Sequence, residues 1–337
     1  MKAKSIFVCL AVLLLALSAR AQLQVKGFLS FEYVNGEAQS DHPNSSFENL
    51  RGGLFFFGTV SKVFDYNLEV QYRSVSTVEI EEAWVGIPSS DVFQVKLGLY
   101  LVPFGIYNAT SRPYQTLFVQ TPLPAANLYP RSWRDLGIMT QGKYDFFNYA
   151  VYLGNGLREG IDLQDGQQFK DNNKNKGAGG RVGFLLSRSF EVGFSYYKGK
   201  YDNANTRTSS LWDADVSWKS EFFSILYEYT KADLDNPAGY SQAEAEGYYA
   251  FLSLTIKDFS PWASYQTFKY SDPFHGPGFE AEVSPGTGIS SNQSRWAVGL
   301  VYSASSNILF KLEYDFNSSP NSDLKDDVFY AQVAWQF

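Results

Sequence analysis

Residues 328–337, VFYAQVAWQF, set an apolar or aromatic side chain at every odd position: Phe329, Ala331, Val333, Trp335 and Phe337. Tyr330, Gln332, Ala334 and Gln336 fall between them. A two-residue period is that of a β-strand, whose successive side chains point to opposite faces. One face is fit for lipid up to Phe337 and the other is mixed, so the strand divides an apolar medium from a polar one. Such a strand cannot leave its edge unpaired, and pairing with the first strand, near 23–34, closes a barrel.

The pattern recurs upstream. In residues 66–73, YNLEVQYR, Tyr66, Leu68, Val70 and Tyr72 share one face and Asn67, Glu69, Gln71 and Arg73 the other. Residues 308–316, ILFKLEYDF, put Lys311, Glu313 and Asp315 on the polar face of an otherwise apolar strand. Sixteen strands are expected, near 23–34, 50–62, 65–75, 78–88, 91–101, 136–144, 146–155, 178–187, 189–199, 209–219, 221–232, 244–257, 259–270, 292–303, 307–317 and 326–337. Connections alternate between very short ones, as at 63–64, 89–90, 145, 188 and 258, and long polar ones, as at 35–49, 102–135, 156–177 and 271–291. Short turns at one end and long loops at the other are the two rims of a transmembrane antiparallel β-barrel of about 16 strands.

Composition agrees with an all-β membrane protein. Aromatic residues make up 17% of the chain while the mean hydropathy is slightly negative. The one apolar run, residues 6–17, follows Lys2 and Lys4 and precedes Ala19, Arg20 and Ala21. At about 12 residues it is too short to cross roughly 30 Å of hydrocarbon as a helix, and it reads as a signal peptide over 1–21. Residues 22–337 are then expected to form a single barrel.

Several function classes drop out. The only cysteine is Cys9, inside the leader, so thiol chemistry and disulfides are not expected. Without Lys2, Lys4 and Arg20 the formal charge moves from −7 to −10, which argues against nucleic acid as a partner. His42 and His275 both fall in loops away from any serine on a strand, so no catalytic residues and no enzyme activity are expected. Asp162, Asp165 and Asp171 of the 156–177 loop lack the spacing of a calcium loop, and no metal or other cofactor is expected.

The 102–135 loop carries more information. It is about 34 residues long, which in a compact fold marks a functional segment. The stretch EEAWVGI (81–87), then FQVKLGLYLVPFGIYN (93–108), then a loop rich in proline and arginine resembles Gram-negative porins of the phosphate-selective O/P type. The terminal Phe337 likewise resembles the signature by which outer-membrane proteins are recognised for assembly. The resemblance implies a homotrimeric channel in the outer membrane of a Gram-negative bacterium, in contact with outer-membrane lipid and lipopolysaccharide. It also implies that the third loop folds into the pore.

On that view Arg112, Tyr114, Tyr129, Arg131, Trp133, Arg134 and Asp135 are candidates for the constriction. Strand parity supplies the walls. Lys26, Arg51, Arg73, Lys96, Lys143 and Arg181 face inward from the first half, beside Glu32, Glu69 and Glu82; Glu191, Asp213, Asp215, Glu228, Glu313 and Asp315 face inward from the second, beside Arg295 and Lys311. A basic wall opposite an acidic one would orient dipolar solutes, since fixed charges are how pores select. The expected function is passive diffusion of small hydrophilic solutes. Arginine forks suit phosphate or carboxylate anions, although the loop has no lysine and the mature chain is acidic. Tyr114, Tyr129 and Trp133 could stack on sugars or simply pin the loop. A non-conducting barrel adhesin is the remaining alternative.

Overall fold

The computed structural model describes residues 22–60, 64–73, 77–160, 163–236, 242–272, 292–320 and 324–337. The leader, Asp162 and His275 lie outside them. Sixteen strands follow in order: β1 Gln22–Gly36, β2 Ser46–Val60, β3 Phe64–Arg73, β4 Thr77–Ser90, β5 Phe93–Leu101, β6 Arg134–Tyr144, β7 Phe147–Gly154, β8 Gly177–Leu185, β9 Phe190–Lys200, β10 Thr208–Lys219, β11 Phe223–Leu234, β12 Ala243–Leu254, β13 Phe259–Asp272, β14 Asn292–Ser305, β15 Ile308–Ser318 and β16 Val328–Gln336. Each pairs antiparallel with its neighbours in sequence, and β1 pairs with β16 to close the barrel.

Closure runs from Phe28 opposite Gln336 to Gly36 opposite Val328. One residue beyond it, Gly27 and Phe337 exchange both backbone hydrogen bonds, at 2.8 and 2.9 Å. The Phe337 ring lies over Gly27, where a Cβ would stand 2.6 Å from it, so glycine is what lets the aromatic cover the seam.

The two faces invert the usual rule for a water-soluble protein. Val78 is 67% exposed and Trp296 56%, whereas Glu69, Gln71 and Asp315 are fully buried. Among the described residues no helix is long and apolar enough to cross a membrane, and a closed barrel is the form in which every strand satisfies its backbone within lipid. The apolar core is therefore inside the barrel, where Tyr100, Phe104, Phe118, Tyr129, Trp133, Tyr197 and Tyr249 form one cluster with their neighbours.

The regular alternation is broken in two places. Glu69 faces Glu82 and Val70 faces Ile80, which leaves Glu81 as the extra residue of a bulge in β4. Bulges re-aim side chains, and here Glu79, Glu81 and Glu82 gather in one corner. The second concerns Arg134 and Asp135, which the sequence reading assigned to the third loop. They open β6 instead: Asp135 lies opposite Tyr100 and Arg134 opposite Leu101, because ladder pairing with β5 continues for two residues past the proline-rich segment.

Candidate constriction segment

Five prolines between 102 and 133 keep this segment from joining the barrel wall, since proline lacks the N–H a ladder needs. It forms two short helices, Tyr107–Thr110 and Leu123–Asn127, the second with proline in its first turn. Asn108 ties the ends together: its Nδ2 donates to the carbonyls of Val102 and Trp133 at 2.8 and 3.1 Å, and its Oδ1 accepts the Trp133 amide at 2.7 Å.

From there the segment is fastened to inner-face side chains around the barrel. Glu228 on β11 accepts the amides of Ile106 and Tyr107 at 2.8 and 3.0 Å and the hydroxyls of Tyr129 and Tyr249 at 3.2 Å. Gly105, at φ +62°, passes so close that a Cβ would lie 2.4 Å from the Glu228 carboxylate. Arg112 makes a two-pronged contact with Glu69 on β3 at 3.0 and 2.5 Å. Tyr114 packs on Phe28 of β1 and Phe55 of β2.

The far side is held by hydrogen bonds to the segment's backbone and by the packing of Phe118. Lys311 on β15 donates to the carbonyls of Pro113 and Phe118, and Glu313, two residues on, accepts the amides of Val119 and Gln120. Gln266 on β13 accepts the Leu123 amide at 2.9 Å. Phe118 sits among Tyr249, Phe251 and Trp262, with ring centroids 5.9, 4.9 and 5.1 Å away. Trp133 closes the circuit against Tyr197 of β9 and Phe104, at 5.0 and 5.3 Å.

Two polar cavities lie against the segment, and the first helix separates them. Ile106, Ala109 and Thr110 line a cavity of about 1110 Å³ with Gln94, Lys143 and Arg181. Tyr107, Asn108 and Ser111 line one of about 310 Å³ with Glu32, Arg51, Arg73, Arg131 and Gln332.

The register puts Lys26, Arg51, Arg73, Lys96, Lys143, Arg181, Glu191, Asp213, Asp215, Glu228, Glu313 and Asp315 on the inner face. They do not, however, stand as two facing walls. Arg181 contacts Asp215 at 2.7 Å and Glu191 at 3.0 Å, Arg295 contacts Asp315 at 3.1 Å, and Arg73 contacts Glu81 at 2.9 Å. Glu228 and Glu313 are taken up by backbone amides, and Asp213 accepts the Thr230 hydroxyl at 2.6 Å. Lys96 lies over the Trp84 ring at 4.4 Å and Lys26 over Phe57 at 5.8 Å.

Of the expected constriction residues, Arg112, Tyr114 and Arg131 belong to the segment and Arg131 is exposed to the smaller cavity. Tyr129 and Trp133 are each 1% exposed, so they pin the segment and present no ring face to a solute. Arg134 shares its parity with the outward Leu136 and Ile138 and pairs with Glu79 and Glu81 at 3.2 Å. Asp135 accepts the amides of Leu136, Asn155 and Gly156 at 2.8, 2.9 and 2.9 Å, a cap on the next loop. Sequence reading missed Asn108, Gln266 and Glu81; only the Glu81-Glu82 doublet, which breaks the alternation, carried a signal.

The loops above β8–β10 form their own network. Asn173 donates to the carbonyls of Lys200 and Asp202, and Asp202 accepts the amides of Thr206 and Arg207 at 2.9 and 2.7 Å and the Thr206 hydroxyl at 2.7 Å. Burial alone would raise the Asp202 carboxyl, but these donors and the Arg207 guanidinium hold it below its ordinary range.

A family model described as Gram-negative porin matches residues 8–323. The fold resembles OmpT of Vibrio cholerae in its trimer form, with a TM-score of 0.66 at 13% identity over 94% of this chain and 99% of that one. It resembles the anion-selective porin from Comamonas acidovorans with a TM-score of 0.66 at 12% identity over 94% and 100%. The outer membrane channel DcaP of Acinetobacter baumannii gives 0.65 at 11% over 94% and 97%. A protein of Aquifex aeolicus described as uncharacterized is 24% identical over 226 residues, 59% of this chain and 51% of that protein, so the match spans about half the length of that relative. The family match over most of the chain, on a closed barrel with large apolar residues exposed outside and charged ones buried inside, makes this protein a member of the Gram-negative porin family, seated in the outer membrane.

Proposed function

We propose that the protein is a diffusion channel for small hydrophilic solutes, in which the 102–133 segment lies inside the barrel as the constriction. What supports this reading most directly is the fastening of that segment to inner-face residues of β3, β11, β13 and β15, with a polar cavity on either side of its first helix. No cofactor and no covalent chemistry enter; transport needs water, a narrow passage and charges weak enough to release what they attract. A homotrimer surrounded by outer-membrane lipid and lipopolysaccharide is the assembly we assign, in keeping with the trimer form of the V. cholerae barrel.

The solute we favour is a small phosphate- or carboxylate-bearing anion, as the O/P-type resemblance also suggests. Arg51 supports it. Its Nε donates to Gln71 at 2.9 Å and its Nη1 to the Ser111 carbonyl at 3.3 Å, while its buried Nη2 has no hydrogen-bond partner among the described residues. Arg131 lines the same cavity, and the one carboxylate there, Glu32, is engaged by Asn49 and Gln332 at 2.7 Å. Because Arg51 Nη2 is enclosed, Arg51 contributes charge to the cavity, and the exposed Arg131 is the fork placed to take an anion in passing. The sugar reading is left with Tyr114 alone.

The test is a planar bilayer carrying the purified protein under a salt gradient. Stepwise conductance with an anion-directed zero-current potential is expected. Arg51→Glu or Arg131→Glu should shift that potential toward cations by more than Lys170→Glu does in the 155–176 loop. Equal shifts would remove the constriction from this segment, and a silent bilayer would remove the channel.

A further inference from the structure

Five non-glycine residues among those described have a positive φ: Asn49, Ser132, Asp145, Asn205 and Lys257. Asparagine and aspartate tolerate that region better than other side chains, and Lys257 stands in the two-residue turn that Ile256 and Phe259 close. These four are all exposed. Ser132, at φ +47°, is the exception: it is 5% exposed, and serine has no special tolerance for the left-handed region. Glycine is the residue expected where a turn imposes such a φ. Backbone held against its preference persists only where its surroundings over-determine it, and such places gather at functional sites.

Both flanks of Ser132 are fixed. After it, the Trp133 amide donates to Asn108 Oδ1 at 2.7 Å and the Trp133 carbonyl accepts the Val102 amide at 2.8 Å. Before it, the ring of Pro130 restrains its own φ, and Tyr129 is anchored by its hydroxyl on Glu228 at 3.2 Å. Arg131 and Ser132 are the turn left between these anchors. The Ser132 hydroxyl is gripped by Arg73 of β3, whose Nη2 donates to Oγ at 2.8 Å and to the Glu81 carboxylate at 2.9 and 3.0 Å. Pairing with Glu81 neutralises Arg73 and fixes the direction of its guanidinium.

Arg131 is what this turn places. Arg73 and Arg112 spend their charge on Glu81 and Glu69, whereas Arg131 is exposed, lines the smaller cavity beside Arg73 and Ser132, and makes no ion pair among the described residues. With only two soft dihedrals per residue, the backbone of Ser132 decides where its neighbour's side chain starts. We infer that the Arg73–Ser132 hydrogen bond positions Arg131 and thereby sets the anion preference of the passage. Serine stands where glycine would fit more easily because its hydroxyl is what Arg73 holds. Arg73 and Ser132 are thus positioning residues that act on selectivity through Arg131. This rests on the reading of Arg131 as the fork that takes the anion.

The zero-current potential under a salt gradient would be read in planar bilayers for the full protein and its S132G, S132A, R131Q and R131Q/S132G variants, with chloride as the anion. S132G removes the hydroxyl while easing the backbone, and S132A removes it while keeping the strain, so S132G still decides the matter if S132A does not fold. R131Q is expected to lower the ratio of anion to cation permeability. S132G should reproduce at least half of that shift, with an unfolding midpoint no lower than that of S132A, and R131Q/S132G should add nothing to the shift of R131Q. A serine that only built the turn would leave S132G at the wild-type potential, since glycine builds the same turn, and that result overturns the inference. So does a double variant whose shift is the sum of the two single ones, because Ser132 would then act without Arg131. If R131Q leaves the potential unchanged, the anion reading of the passage fails and this inference with it; an R131Q shift with no S132G shift removes this inference alone.

Discussion

Arg134 reaches past the end of β5 to set its guanidinium 3.2 Å from Glu81, on a strand with which β6 makes no ladder. Its Nη1 also donates to the Ile80 carbonyl at 2.7 Å, and the Phe169 ring covers it at 5.4 Å. The contact clasps β4 to β6 at the long-loop rim. Arg134→Gln should therefore destabilise the barrel while leaving the zero-current potential within error of wild type. Removing one partner of a buried pair costs roughly 3–5 kcal/mol, but Arg73 remains 2.9 Å from Glu81, so a loss of about 2 kcal/mol is expected. The midpoint of urea unfolding from phospholipid vesicles measures it. A shift in potential as large as that of Arg131→Gln would contradict this placement of Arg134.

Glu228 is the first fastening of the 102–133 segment. Glu228→Ala leaves the Ile106 and Tyr107 amides without their acceptor, a loss of roughly 1–3 kcal/mol per buried donor. Hydrogen exchange at those two amides should quicken at least tenfold, with added noise in the open channel. Protection equal to wild type would show that the packing of Tyr129 and Trp133 suffices by itself.

Trp133 packs between Phe104, Tyr129 and Tyr197 and is 1% exposed. Trp133→Ala opens a cavity in the interior cluster, at a cost of about 3–5 kcal/mol. The effect would be read as a lower unfolding midpoint in vesicles. A change of less than 1 kcal/mol by that measure would mean that the cluster does not anchor the segment.

Asp202 gives the 201–207 loop a pH dependence whose sign is fixed by its contacts. Its carboxyl is held below the ordinary aspartate value of 3.8, so its stabilising effect is complete above that value and is lost as the pH falls through the lower folded one. Protection of the Thr206 and Arg207 amides, corrected for intrinsic exchange, should be flat from neutral pH to about 5 and fall below about 4. Asp202→Asn should show weak protection at all pH values. A variant that keeps the wild-type profile would assign the dependence elsewhere.

The barrel was legible because a membrane makes period two unusually clean: lipid demands apolar residues on one face, and the interior tolerates polar ones. All sixteen strands lie within a few residues of where the alternation places them. The interior was harder to read. Parity shows that Glu228 or Glu313 points inward, yet nothing in their own sequence tells that their partners are backbone amides more than a hundred residues away. Arg134 misled for a related reason. Proline spacing ends where the loop looks as if it continues, and ladder pairing, which is non-local, decides that Arg134 is already strand. Glu81 shows the opposite case, in which a break in the pattern was itself the bulge.

Lys311 and Glu313 grip main-chain atoms and ignore side chains. Between Pro113 and Gln120 the Tyr114 and Phe118 rings are fixed by packing of their own, whereas Gln115 is exposed and the clamp makes no demand on its side chain. Substitution at such a position leaves the clamp on β15 as it is.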